Sequence, residues 1–216
     1  MAQIKKSSSR ILGIDPGTNI LGFAVIEVER DKIDVLEIGV LHLKDKGEHT
    51  DKLKEIFLEI QEIIERYLPQ ELAIEAPFFG KNVQSMLKLG RAQGVAMAAG
   101  MTMGLTITEY SPKKVKQSVT GNGNAAKEQV ADMLCRMLNI EPGKFALDAT
   151  DALSVAVCHH YQAGRPVSSK KGGWGKFLKE NPDRVKWAVG SWQLAVGSWQ
   201  LAVKCFSSKN ILLYKN

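Results

Sequence analysis

A chain of 216 residues with a net charge of +6, 44% apolar and 24% charged, is long enough to bury one sizeable core and has the make-up of a globular domain. No uninterrupted apolar run approaches the ~18 residues of a bilayer span, and the opening MAQIKKSSSR is followed by neither an apolar stretch nor a cleavage site, so no membrane segment or secretory leader is expected. Cys135, Cys158 and Cys205 are odd in number and lack ligand spacing, which argues against a disulfide framework or zinc site and for the reducing cytoplasm.

In chain order, Arg10–Asp15 is a short apolar run stopped by Pro16-Gly17, and Ile20–Val28 is rich in β-branched and aromatic residues. Ile33–Leu43 alternates loosely after the Asp31-Lys32 turn, so three strands are predicted in quick succession. From His49 to Leu68, the apolar positions 53, 56, 57, 60, 63 and 64 form one stripe of an amphipathic helix, ended by Pro69. Leu72–Ala76 reads as a buried strand stopped by Pro77. A long helix from Asn82 to about Gly104, a strand over 105–110 and a short helix over 112–119 follow. Beyond the Gly121-Asn-Gly-Asn124 turn, helices are predicted over 125–138 and from about Asp148 to Tyr161. The order βββαβαβααα suits an antiparallel meander followed by parallel crossovers, an α/β layer structure with a mixed sheet.

The predicted organisation is one domain over 1–165 and a basic, irregular tail over 166–216. Pro166–Gly173 is linker-like, and Ala188–Leu194 recurs identically as Ala195–Leu201. That duplication has no architectural period and reads most plainly as a repeated coding segment, so the tail receives no function. It also supplies the charge: nine Lys/Arg against two acids, leaving 20 bases and 21 acids in residues 1–165. Within the body, residues 81–127 carry seven bases against one acid, whereas residues 27–75 carry 14 acids against seven bases. A polyanion would be drawn to the first region, although an unevenly solvated surface gives the same counts.

Four acids stand where solvation alone would not put them. Asp15 and Glu75 end apolar strands. Asp148 and Asp151 open the last helix three residues apart, on one face of its first turn. If that helix packs on the sheet through Ala152–Val157, all four could converge on one cleft. Such a cluster costs stability unless a cation is bound, and Mg²⁺ takes oxygen ligands from carboxylates, water and phosphate. Two such ions ~3.5–4 Å apart can activate water and stabilise a leaving oxygen in phosphodiester hydrolysis. Taken singly the acids have plainer readings, Asp15 as a turn former and Asp148 or Asp151 as helix caps. Glu75, inside Ala-Ile-Glu-Ala, has no capping duty.

At these residues the chain resembles the RuvC family of crossover-junction endodeoxyribonucleases in the RNase H-like superfamily. The resemblance runs from about Ile11 to Gln162, on Ile-Leu-Gly-Ile-Asp-Pro-Gly-Thr (11–18), Ala-Ile-Glu-Ala-Pro-Phe (73–78), Lys-Asn-Val-Gln-Ser-Met-Leu-Lys-Leu-Gly (81–90), Val-Lys-Gln-Ser-Val-Thr-Gly-Asn-Gly (115–123) and Asp-Ala-Thr-Asp-Ala-Leu (148–153). It implies an RNase H-like fold with a mixed five-stranded sheet flanked by helices. It also implies an Mg²⁺-dependent nuclease, with Mn²⁺ as a possible substitute, whose catalytic and metal ligands are Asp15, Glu75, Asp148 and Asp151. The expected reaction is paired nicks in opposed strands of four-way junction DNA, leaving 5′-phosphate ends. DNA contacts are expected from Phe78, Lys81, Asn82, Lys116 and Lys127, with Phe78 near the crossover; a core role for Phe78 remains open. The resemblance further implies handover from the RuvA–RuvB branch-migration complex.

Symmetric cutting asks for two sites and hence a C₂ homodimer. Gly90, Gly94 and Ala98 on the helix over 82–104 offer a face that another helix could approach closely, or one that packs on its own sheet. Three other readings stand beside this one: another RNase H-like nuclease (hybrid-cutting or YqgF-type), a junction-binding protein without catalysis, and an actin-like ATP site at Asp15–Thr18. The last needs two such domains, for which the chain lacks length.

Overall fold

The computed structural model describes residues 8–30, 32–77, 82–141 and 143–162. The predicted tail over 166–216, together with Phe78 and Lys81, lies outside them. β1 (Ser9–Asp15), β2 (Ile20–Glu29) and β3 (Lys32–His42) form the antiparallel meander. α1 (His49–Tyr67) then crosses back to β4 (Glu71–Glu75), and α2 (Val83–Thr102) to β5 (Thr106–Tyr110). The crossovers make β4 parallel to β1 and β5 parallel to β4, giving a mixed five-stranded sheet in the order β3-β2-β1-β4-β5. α3 (Pro112–Thr120), α4 (Lys127–Leu138) and α5 (Leu147–Gln162) complete the element order expected from the sequence.

Local chemistry sets the helix limits. α1 starts where the Glu48 amide donates to Asp51 Oδ2 at 3.0 Å, and stops at Leu68, which takes the left-handed conformation (φ 48°) before Pro69. Ser111 caps α3, with Pro112 in its first turn. α4 begins at Lys127 rather than at the expected Ala125. Ala126 is extended, its amide donating to Gln129 Oε1 at 3.0 Å, and Ala125 belongs to the preceding turn.

The sheet is covered on both faces. Ile56, Ile60, Ile63 and Ile64 of α1, with Ala92, Ala96 and Ala99 of α2, pack on Leu12, Ile14, Leu72 and Ile74. A fully buried isoleucine contributes about 1.5–3 kcal/mol, so this stripe alone anchors α1. On the other face α5 lies across β1, β2 and β4, flanked by α3 and α4. It comes close there because two positions beneath it, Gly13 and Gly22, carry no side chain. A Cβ on Gly13 would come within 2.4 Å of the Ala152 carbonyl oxygen, and one on Gly22 within 2.0 Å of the Asp148 carbonyl oxygen. Those two glycines let the helix axis settle close to the strands, and they fix the depth of its first turn.

Candidate metal and DNA-cleavage centre

Asp15 and Glu75 each follow the last paired residues of neighbouring parallel strands, Ile14 and Ile74, so their side chains leave adjacent strand ends. Across β1 the partner of Asp15 is Gly22, the residue on which Asp148 rests. The first turn of α5 thus stands directly over the end of β1. One carboxylate oxygen each from Asp15, Asp148 and Asp151 lie within 4.8 Å of one another. Glu75 stands outside that trio, close enough for its charge to act on Asp15 and to feel Asp151. Since α5 opens at Leu147, Asp148 and Asp151 both lie inside the helix, and neither is its cap.

The electrostatics are those of an over-filled acidic pocket. Burial, then the charges of Glu75, Asp151 and Asp148, pushes the Asp15 carboxyl up to about 8, with Lys127 pulling the other way. Burial and then Asp151 push Glu75 up to about 7, opposed by Lys127 and Lys116. Lys127 answers part of this charge through an ion pair with Asp151. Burial works to lower its pKa, but that bond and the surrounding carboxylates raise it on balance. Three convergent hard oxygen donors, held partly out of water and mutually repelling, suit a divalent cation of the Mg²⁺ or Mn²⁺ kind.

A cleft of about 510 Å³ opens beside the acids, with Glu75 and Asp151 at one end and Lys113, Lys116, Asn124 and Lys127 around it. The expected DNA-binding residues have distinct local roles here. Lys116 donates from Nζ to the Ala125 carbonyl at 2.8 Å, so it braces the turn that delivers Lys127. The Asn82 side chain caps α2, accepting from the Ser85 amide at 3.1 Å. Lys113, counted among the seven bases over 81–127 but not singled out as a DNA contact, packs along Gly123 and lines the cleft. The other omissions were Gly13 and Gly22, whose place inside strand patterns was an available signal, and the contacts of buried His159, which had none.

A profile of the family described as "Crossover junction endodeoxyribonuclease RuvC" matches residues 11–159. A curated relative of that description from Cytophaga hutchinsonii is 57% identical over 176 residues, covering 82% of this chain and 88% of its own length. Another, from Christiangramia forsetii, is 55% identical over 184 residues, covering 85% and 96%. Among solved structures, Thermus thermophilus RuvC in complex with a Holliday junction substrate superposes with a TM-score of 0.67 at 30% identity, covering 72% of this chain and 94% of that one.

Proposed function

The chain belongs to the RuvC family of crossover junction endodeoxyribonucleases and resolves Holliday junctions, and from that premise we propose that Asp15, Glu75, Asp148 and Asp151 are the groups that carry the cut. The convergence of Asp15, Asp148 and Asp151 within 4.8 Å is the observation that supports this assignment. The family is a metal-dependent one, and the ions would be Mg²⁺, two per site, with Mn²⁺ able to replace them. Bound there, they supply Lewis acidity that activates water and stabilises the leaving 3′-oxygen.

The chain's own residues do the rest. Asp15, Asp148 and Asp151 present ligand oxygens from two rigid elements. Glu75 completes the set from the neighbouring strand, opposite Asp151. Lys113, Lys116 and Lys127 give the cleft the positive charge that a phosphodiester needs, as point charges that position the backbone without reading bases. Asn82, at the start of α2, is kept as a DNA contact, together with Phe78 and Lys81.

Paired nicks imply two copies of the site about a two-fold axis. The outward face of α2 supports a homodimer: Val83, Leu87 and Met101 are exposed, and a Cβ at Gly90 or Gly94 would meet nothing within 4 Å. Ala92, Ala96 and Ala99 on the opposite face pack in the protein's own core, so α2 serves both purposes. Junctions would come from the RuvA–RuvB branch-migration complex, in the cytoplasm. Cys135 and Cys158 are free and buried, as a reducing compartment allows. No helix among the described residues is long and apolar enough to cross a membrane.

The test is a synthetic four-way junction incubated with Mg²⁺, beside an EDTA control and an Asp15→Asn variant. Paired, ligatable nicks from the parent protein alone are expected. Equal cutting of linear duplex or RNA–DNA hybrid would remove the junction assignment, and full activity in Asp15→Asn would remove the carboxylate assignment.

A further inference from the structure

At the far end of α5 from the acids, His159 is buried, 5% exposed. Its Nδ1 lies 2.8 Å from the Tyr110 hydroxyl, the rings meeting edge to face with centroids 5.7 Å apart, and its Nε2 bonds Glu71 Oε2. One neutral tautomer satisfies both contacts, donating from Nε2 to the carboxylate and accepting the tyrosine proton at Nδ1. Three elements meet in this chain of bonds: β4 through Glu71, β5 through Tyr110, and α5.

Two of these elements carry acids of the site, β4 with Glu75 and α5 with Asp148 and Asp151, and β5 pairs with β4 beside Glu75. Tyr110 is the register partner of Glu75, and its carbonyl accepts from the Ala76 amide at 2.8 Å. Along β4, Glu71 precedes Glu75 by four residues, about 13 Å of strand. Along α5, His159 follows Asp151 by eight residues, about 12 Å of helix. Strand and helix therefore form a ladder with two rungs of matched spacing. The near rung, Glu75 facing Asp151, is repulsive before a cation arrives. The far rung, Glu71 to His159, is attractive. Gly13 and Gly22 set how closely α5 approaches the sheet, and Leu153, Val155 and Val157 pack its middle apolarly, whereas the far rung adds a directional, hydrogen-bonded tie at its other end.

We propose that the Tyr110–His159–Glu71 bonds hold α5 in register on β4, so that Asp148 and Asp151 stand at cation-binding distance from Asp15 and Glu75. His159 is a positioning residue in this account, and the proposal rests on the carboxylate assignment above. Groups that orient metal ligands from outside the coordination shell change metal affinity by ~10–100-fold when removed.

The experiment measures Mn²⁺ binding by electron paramagnetic resonance, junction binding in EDTA, and cleavage kinetics, on full-length protein. His159→Leu is expected to weaken Mn²⁺ binding ~10-fold or more and to lower kcat at limiting Mn²⁺. Its junction Kd in EDTA and its KM should stay within about twofold, since no phosphate-facing group is changed. Tyr110→Phe and Glu71→Gln, which leave no cavity, should shift Mn²⁺ affinity in the same direction by a few-fold, and they stand in if His159→Leu does not melt cooperatively. Unchanged Mn²⁺ affinity in the folded variants overturns the proposal. Asp151→Asn keeps the two claims apart: if it too leaves Mn²⁺ affinity untouched, the carboxylate assignment is what fails.

Discussion

Replacing Gly22 by alanine adds one methyl group and should disable the site without touching an acid. The new Cβ would sit 2.0 Å from the Asp148 carbonyl oxygen, 2.7 Å from its carbon and 3.3 Å from the Ala152 Cβ. Two of these partners are helix backbone, which cannot swing aside as a side chain would. Restoring an ordinary contact of ~3.5 Å requires the first turn of α5 and strand β2 to part by more than ~1 Å. Overpacking of this kind costs about 1–3 kcal/mol, which a domain of this size survives. The larger effect is chemical. Asp148 and Asp151 ride on the displaced turn, and ~1 Å of misplacement costs on the order of 100-fold in rate. A four-way junction cleavage assay at saturating Mg²⁺ reads kcat, and urea denaturation in EDTA reads stability. A Gly22→Ala protein that cuts within threefold of the parent would refute the claim that this glycine sets the depth of α5.

Metal-free protein should lose stability as pH rises. Asp15 and Glu75 have folded pKa values of about 8 and about 7, above their ordinary values of 3.8 and 4.5, so the native state holds more protons than the unfolded chain between those limits. The stabilising contribution is therefore full below pH ~4, shrinks as pH climbs through 7 to 8, and is gone above, by on the order of 2–4 kcal/mol given that the two groups repel each other. Urea melts in EDTA at pH 5.5 and 8.5 measure it; a flat or rising profile contradicts the electrostatics, and Asp15→Asn should flatten the slope. Lys127→Ala should weaken junction binding and reduce the salt dependence of log K by about one charge's worth, read by titration from low to moderate salt. An unchanged slope would take Lys127 out of the DNA path. Gly94→Leu fills the open face of α2 and should give a monomer, or a weakened dimer, by sedimentation with little loss of monomer stability. A normal dimer would move the interface elsewhere.

Most of the fold was legible because its signals are periodic or punctuating: the α1 stripe, the Pro69 and Pro77 stops, and the glycine turn at 121–124. The convergence of Asp15, Asp148 and Asp151 was legible from a strand end and one helical turn, which bring them together without any knowledge of distance. What the sequence withheld was depth and sliding position. Nothing in Ile20–Val28 says which helix will rest on Gly22, because that contact spans 126 positions and depends on sheet twist. Nor does Cys158-His159-His160 say which histidine is buried, since either suits a helix and only packing puts His159 between Glu71 and Tyr110. The start of α4 was misplaced by two residues because alanines at 125 and 126 favour helix intrinsically, while the turn before them overrides that preference.

The lateness of α5 has a bearing on synthesis. It is the last described element, yet it fills the middle of the sheet's face, against β1 and β2, made more than a hundred residues earlier. A ribosome delivering the chain from its N-terminus exposes β1, β2 and β4 with that face uncovered until α5 emerges, so these non-local contacts must form late. Half of the acidic set arrives only with that helix. A nascent or truncated chain lacking it keeps Asp15 and Glu75 but has neither Asp148 nor Asp151, and on the proposed assignment would not cleave DNA.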